Sequence, residues 1–63
     1  MPPHDYTTAI ADAARAFIEA SMEHSLMRTD ATEAALAEAD NRLHWMVEAE
    51  KHGWDPARYT PDG

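Results

Sequence analysis

Asp40, His44, Glu48 and His52 follow one another at steps of four residues within "DNRLHWMVEAEKHGW". On a helix this spacing lines them along one face. Imidazoles and carboxylates so placed are ligand types for zinc and related divalent ions. The same spacing also puts the row about 80° or more away from the apolar seam of its helix, toward solvent, with no visible partner to orient the imidazoles. A carboxylate one turn from a histidine is also an ordinary surface pair, worth a few tenths of a kcal/mol. The expectation is therefore a wet helix face with no metal and no cofactor. A di-iron centre of the ferritin type needs inward-facing Glu and Glu-x-x-His motifs, and no Glu-x-x-His occurs in the chain.

A second histidine, His24, has a different setting. It falls in the apolar seam of the preceding helical pattern, near the turn, opposite Ala35 or Leu36. Its expected partners are Ser21, Ser25 or a backbone carbonyl. Charging a buried imidazole opposes association, so His24 is the candidate pH-sensitive position. There is no cysteine nucleophile and no recognisable Ser-His-Asp arrangement, so a non-enzymatic protein is expected.

Two elements must position these residues. In the first, at about 6–28, Tyr6, Ile10, Ala13, Phe17, Ala20, His24 and Met27 recur at spacings of four and three, the seam of a helix packed lengthwise on another. Asp12, Arg15, Glu19 and Glu23 lie on the other side, as an amphipathic helix requires. In the second, at about 31–52, Thr32, Leu36, Ala39, Leu43, Met46 and Glu50 repeat the pattern. Asp30 with Glu33 reads as its capping box, and Gly53 reads as its left-handed terminator. Only Thr29 and Asp30 remain between the helices, which forces an antiparallel hairpin in which facing positions sum to about 59. Glu50, at a seam position, needs a cation such as Arg58, or Arg42 or Arg15 of a second chain.

The flanks differ from the hairpin. Residues 1–5 begin "MPPH" and read as a flexible arm. Residues 54–63 read as a tail with one short turn at Asp55-Pro56. Trp54 and Tyr59 are placed over the open end of the hairpin, near Tyr6 and Ile10.

Size sharpens the argument. The chain has 63 residues, no cysteine and a net charge of −7. A core of that size is marginal without disulfides, metal or a partner chain. The absence of cysteine fits a reducing compartment. The N-terminal stretch has neither the basic flank nor the apolar run of a signal peptide, and no stretch approaches the roughly 20 apolar residues of a membrane span. A cytoplasmic protein with no membrane partner is expected. An acidic chain with five scattered basic residues also makes a sequence-independent grip on nucleic acid unfavourable.

The apolar surface is wider than one seam. Ala14, Ile18, Met22 and Ser25 form a further row on the first helix, and Val47 and Trp45 flank the seam of the second. The expected fold is all-α, an antiparallel two-helix hairpin dimerising into a four-helix bundle. The expected interface residues are Ile18, Met22, Trp45, Met46, Trp54 and Tyr59. The expected role is a small acidic protein–protein interaction module, a regulator, assembly factor or small subunit of a bacterium or phage, with itself and another protein as partners.

In architecture the chain resembles the Rop-like proteins, short helical hairpins that dimerise into a four-helix bundle. The likeness covers the two helices and the turn "DATEAA", Asp30 to Ala35. It implies RNA binding through a polar, partly basic face of the first helix. Here that face offers Arg15 among Asp12, Glu19 and Glu23. A Rop-like nucleic-acid regulator is one alternative function. The other is an acidic mimic of nucleic acid that blocks a DNA-binding protein.

Overall fold

The structure is a computed structural model that describes residues 4–60; residues 1–3 of the N-terminal arm and 61–63 of the tail lie outside the described residues. Two long helices, α1 (Tyr6–Leu26) and α2 (Asp30–His52), pack against each other, and a single 3-10 turn, Pro56–Arg58, follows. Among the described residues there is no strand, and no helix is long and apolar enough to cross a membrane.

α1 starts where Asp5 accepts hydrogen bonds from the Thr8 amide and hydroxyl. Those bonds hold the Asp5 carboxyl below the usual range, chiefly through the Thr8 hydroxyl. α1 ends at Leu26, two residues short of the sequence expectation, because Met27 is extended (φ −145°, ψ 100°).

The start of α2 corrects the reading by one residue. Thr29, not Asp30, is the N-cap: its hydroxyl accepts from the Thr32 amide at 3.2 Å, and the Thr29 amide donates to the Thr32 hydroxyl at 3.0 Å. This is a reciprocal capping box with threonine in place of glutamate. Asp30 and Glu33 instead sit in the first turn, where negative charge suits the helix dipole.

Gly53 ends α2 in the left-handed region (φ 78°), and the amides of Gly53 and Trp54 both donate to the Ala49 carbonyl, at 2.7 and 2.9 Å. The six-to-one bond from Trp54 is that of a Schellman motif. Asp55 then caps the 3-10 turn through the Ala57 amide.

The seam between the helices is built from small side chains. Ala13, Ala20, Ala39, Met46 and Ala49 are buried, whereas Tyr6, Ile10, Phe17, His24, Leu36 and Leu43 are half-buried. Among the described residues no large side chain is fully enclosed. Two seam assignments from the sequence change. Met27 is 65% exposed because the helix has already ended. Glu50 is exposed and Ala49 is buried in its place, which removes any need for a buried cation partner.

Candidate functional site

The residues expected to mediate contacts separate into two groups on opposite flanks of the hairpin. The first group is an aromatic cluster. The Trp45 ring lies 5.7 Å from that of Trp54 and 5.5 Å from that of Tyr59. These are the spacings of tilted and edge-on aromatic pairs. Trp54 also stacks on His52, at 4.8 Å and 19°. The cluster forms because the left-handed Gly53 and the turn at Pro56–Arg58 reverse the chain and lay the tail back along α2. Tyr59 then donates its hydroxyl to Glu38 Oε1 at 3.0 Å, 21 residues earlier in the chain.

This overturns the expectation that Tyr59 caps the open end of the hairpin. Trp54 does reach that end, through its backbone: the Tyr6 hydroxyl donates to the Trp54 carbonyl at 2.8 Å, and beside it Asp55 Oδ1 lies 3.7 Å from His4 Nδ1. Tyr59 instead lines a groove on the side of α2 together with Glu38, Arg42, Met46, Pro56 and Ala57. Burial against α2, reinforced by Glu38, raises the Tyr59 phenol above its ordinary value.

The buried Ala49 stands off the centre of the seam. Ala49 lies roughly 100° round α2 from the centre of the seam, on the flank shared by Glu38, Arg42 and Trp45. Tail residues Pro56, Ala57 and Tyr59 lie by Glu38 and Arg42 on that flank, and Ala49 is buried. Met46, expected on the docking patch, is 5% exposed and lies beneath the tail rather than on its surface. What remains accessible is an open cleft of about 330 Å³ between Trp45, Trp54 and Arg58.

The second group lies on the far flank. Ile18 is 57% and Met22 61% exposed, and Val47 of α2 is 46% exposed. In an antiparallel hairpin, the flank of α1 that carries Ile18 and the flank of α2 that carries Val47 share one face. Leu26, exposed at the turn, continues the apolar surface to the tip of the hairpin.

The ladder of Asp40, His44, Glu48 and His52 resolves into two separate pairs. His44 Nδ1 lies 3.7 Å from Asp40 Oδ1, and His52 Nε2 lies 3.1 Å from Glu48 Oε2, all on exposed side chains. Among the described residues no three histidine or carboxylate side chains converge on a point that could hold a metal ion.

His24 is half-buried, but its partner is neither serine nor backbone. Its Nδ1 lies 3.1 Å from the Thr32 hydroxyl. That hydroxyl also donates to the Met27 carbonyl at 2.6 Å and accepts from the Thr29 amide. The same hydroxyl also lies 3.0 Å from the Thr29 carbonyl, so it sits within hydrogen-bonding distance of two carbonyls, an amide and the imidazole. The Thr29-x-x-Thr32 spacing carried the signal for this cluster, which the competing Asp30–Glu33 pair obscured.

No protein-family model matches the chain, and comparison with curated proteins and with solved structures finds no match.

Proposed function

We propose that the protein is a small, non-enzymatic interaction module whose hairpin pairs with a second copy to form a four-helix bundle. In this reading the aromatic cluster stays on the outside as a contact point for another protein. One observation carries the reading. The seam encloses four alanines and one methionine, while Ile18, Met22, Leu26 and Val47 remain substantially exposed.

A chain of this length with so little enclosed apolar volume is poorly stabilised alone. Each large apolar side chain left largely in water forgoes about 1–2 kcal/mol. Twofold symmetry counts every such contact twice. The sum is comparable to the whole stability of a small domain, about 5–15 kcal/mol. The net charge of −7 keeps the remaining surface soluble and unattractive to phosphate backbones.

Multi-angle light scattering of the full chain tests this directly. The expected mass is about twice the 7.0 kDa of one chain, falling to one chain in an Ile18→Glu/Met22→Glu variant. A folded wild-type monomer at high micromolar concentration overturns the homodimer.

A further inference from the structure

α1 carries a second seam beside the one that packs on α2. Thr7, Ala11, Ala14, Ile18, Ser21 and Ser25 recur at spacings of four, three, four, three and four. This is the internal seam shifted by one residue, and it lies roughly 100° round the helix. All of it is exposed except Ala14, which is half-buried, and Met22 stands at its edge. None of these residues is charged. The three acidic residues of α1, Asp12, Glu19 and Glu23, all fall on the opposite flank, where Asp12 pairs with Arg15 at 3.3 Å. The α2 half of the same face is not charge-free, since Glu33, Asp40 and Lys51 stand there. Two chains of net charge −7 therefore approach with least repulsion along α1.

The seam is also complementary to itself. When it faces its own copy antiparallel, residues whose numbers sum to about 32 meet across the twofold axis. Ile18 then covers Ala14 of the second copy, Ser21 meets Ala11, and Ser25 meets Thr7. Met22 reaches over Ala11. Each large side chain finds a small one, and the small residues let the axes come within about 8 Å.

On the reading that the protein self-associates, we infer that this flank of α1 is the homodimer interface, with α1 paired antiparallel to α1 of a second copy. This leaves the tail and its aromatic cluster uncovered on the other face of each hairpin.

Disulfide trapping in the full chain tests the register. The protein has no native cysteine, so Ala14→Cys and Ile18→Cys each provide a single thiol on an exposed or half-buried helix surface. A disulfide needs Cα atoms about 4.4–6.8 Å apart. In the inferred register only position 14 of one copy and position 18 of the other meet that condition. Two copies of position 14 are offset by about 6 Å along the axis in addition to the gap between helices. Mixing the two variants, one with a mass tag, and oxidising mildly should give the mixed disulfide in severalfold excess over either like-with-like product. A light-scattering dimer without that excess overturns this register and leaves self-association standing. So does faster trapping of Ala14→Cys with Val47→Cys, which would place α1 against α2 of the second copy. A light-scattering monomer overturns both the interface and the self-association on which it rests.

Discussion

The Tyr59 hydroxyl donates to Glu38 at 3.0 Å, and this bond holds the end of the tail against the middle of α2. Tyr59 and Trp54 thereby close on Trp45 from two sides. Removing the central ring should release the tail. Trp45→Ala should cost about 2 kcal/mol in urea denaturation, less than a fully buried tryptophan because Trp45 is only half-covered. The fluorescence of the remaining Trp54 should shift to the red. An unshifted spectrum with unchanged stability would mean that the tail does not dock.

The same bond predicts an alkaline response. The folded-state value of the Tyr59 phenol is raised above 10.0 by burial and by Glu38. A group raised on folding stabilises the fold below its unfolded value and loses that contribution as pH rises through the folded one. Tail docking should therefore hold up to about pH 10 and weaken above it, as the phenolate repels Glu38. Absorbance at 295 nm should show a late-ionising tyrosine that disappears in Tyr59→Phe. Tryptophan fluorescence should report tail release over the same alkaline range in wild type.

At the other end of the hairpin, Thr32 is the junction of the turn. Its hydroxyl contacts His24, Thr29 and Met27. Thr32→Ala should cost about 1–2 kcal/mol by thermal circular dichroism, because the Thr29 amide, the Met27 carbonyl and His24 each lose their side-chain partner while the Thr32 amide keeps its bond to the Thr29 hydroxyl. Asp30→Asn should cost less than about 0.5 kcal/mol, since it alters only a charge in the first turn. The reverse ranking would restore Asp30 as the cap.

The left-handed terminator has a conformational cost that can be measured separately from packing. A Cβ added at Gly53 would meet nothing within 4 Å, so Gly53→Ala tests backbone strain alone. A loss of about 1 kcal/mol is expected, with Trp54 fluorescence moving in the same direction because the glycine aims the tail. A neutral substitution would show that the turn does not require φ 78°.

Within the seam, Ala13 has no exposed surface. Ala13→Leu should lower stability by about 1–3 kcal/mol in urea denaturation, through overpacking against α2. Ala11→Leu, on the uncharged outer flank of α1, should leave the hairpin intact but reduce the dimer mass, since it crowds the inferred interface.

What could be read from the residues was set by how locally each feature is encoded. The seam of α1 from Tyr6 to His24 and the stop at Gly53 follow from spacing and from one residue type, and both stand in the structure. The cap of α2 was misplaced by one position because Asp30 and Thr29 are both good N-caps, and only the Thr32 hydroxyl decides between them. The exchange of Glu50 for Ala49 could not be read from the spacing of α2, which carries the four-and-three pattern on through Glu50. The path of Tyr59 depends on the direction the chain takes after two consecutive turns. The pairing of His24 with Thr32 needed the register of the whole hairpin.

Four of the five enclosed side chains are alanines, which have no rotatable side chain. The larger seam residues Tyr6, Ile10, Phe17, Leu36 and Leu43 are only half-covered, so few enclosed side chains interlock to fix the register of one helix on the other. The hairpin is fastened instead by polar clasps at its extremities, Tyr6 to the Trp54 carbonyl at one end and His24 to Thr32 at the other. Cutting either clasp should therefore loosen the alignment of the rods well before it unwinds either of them.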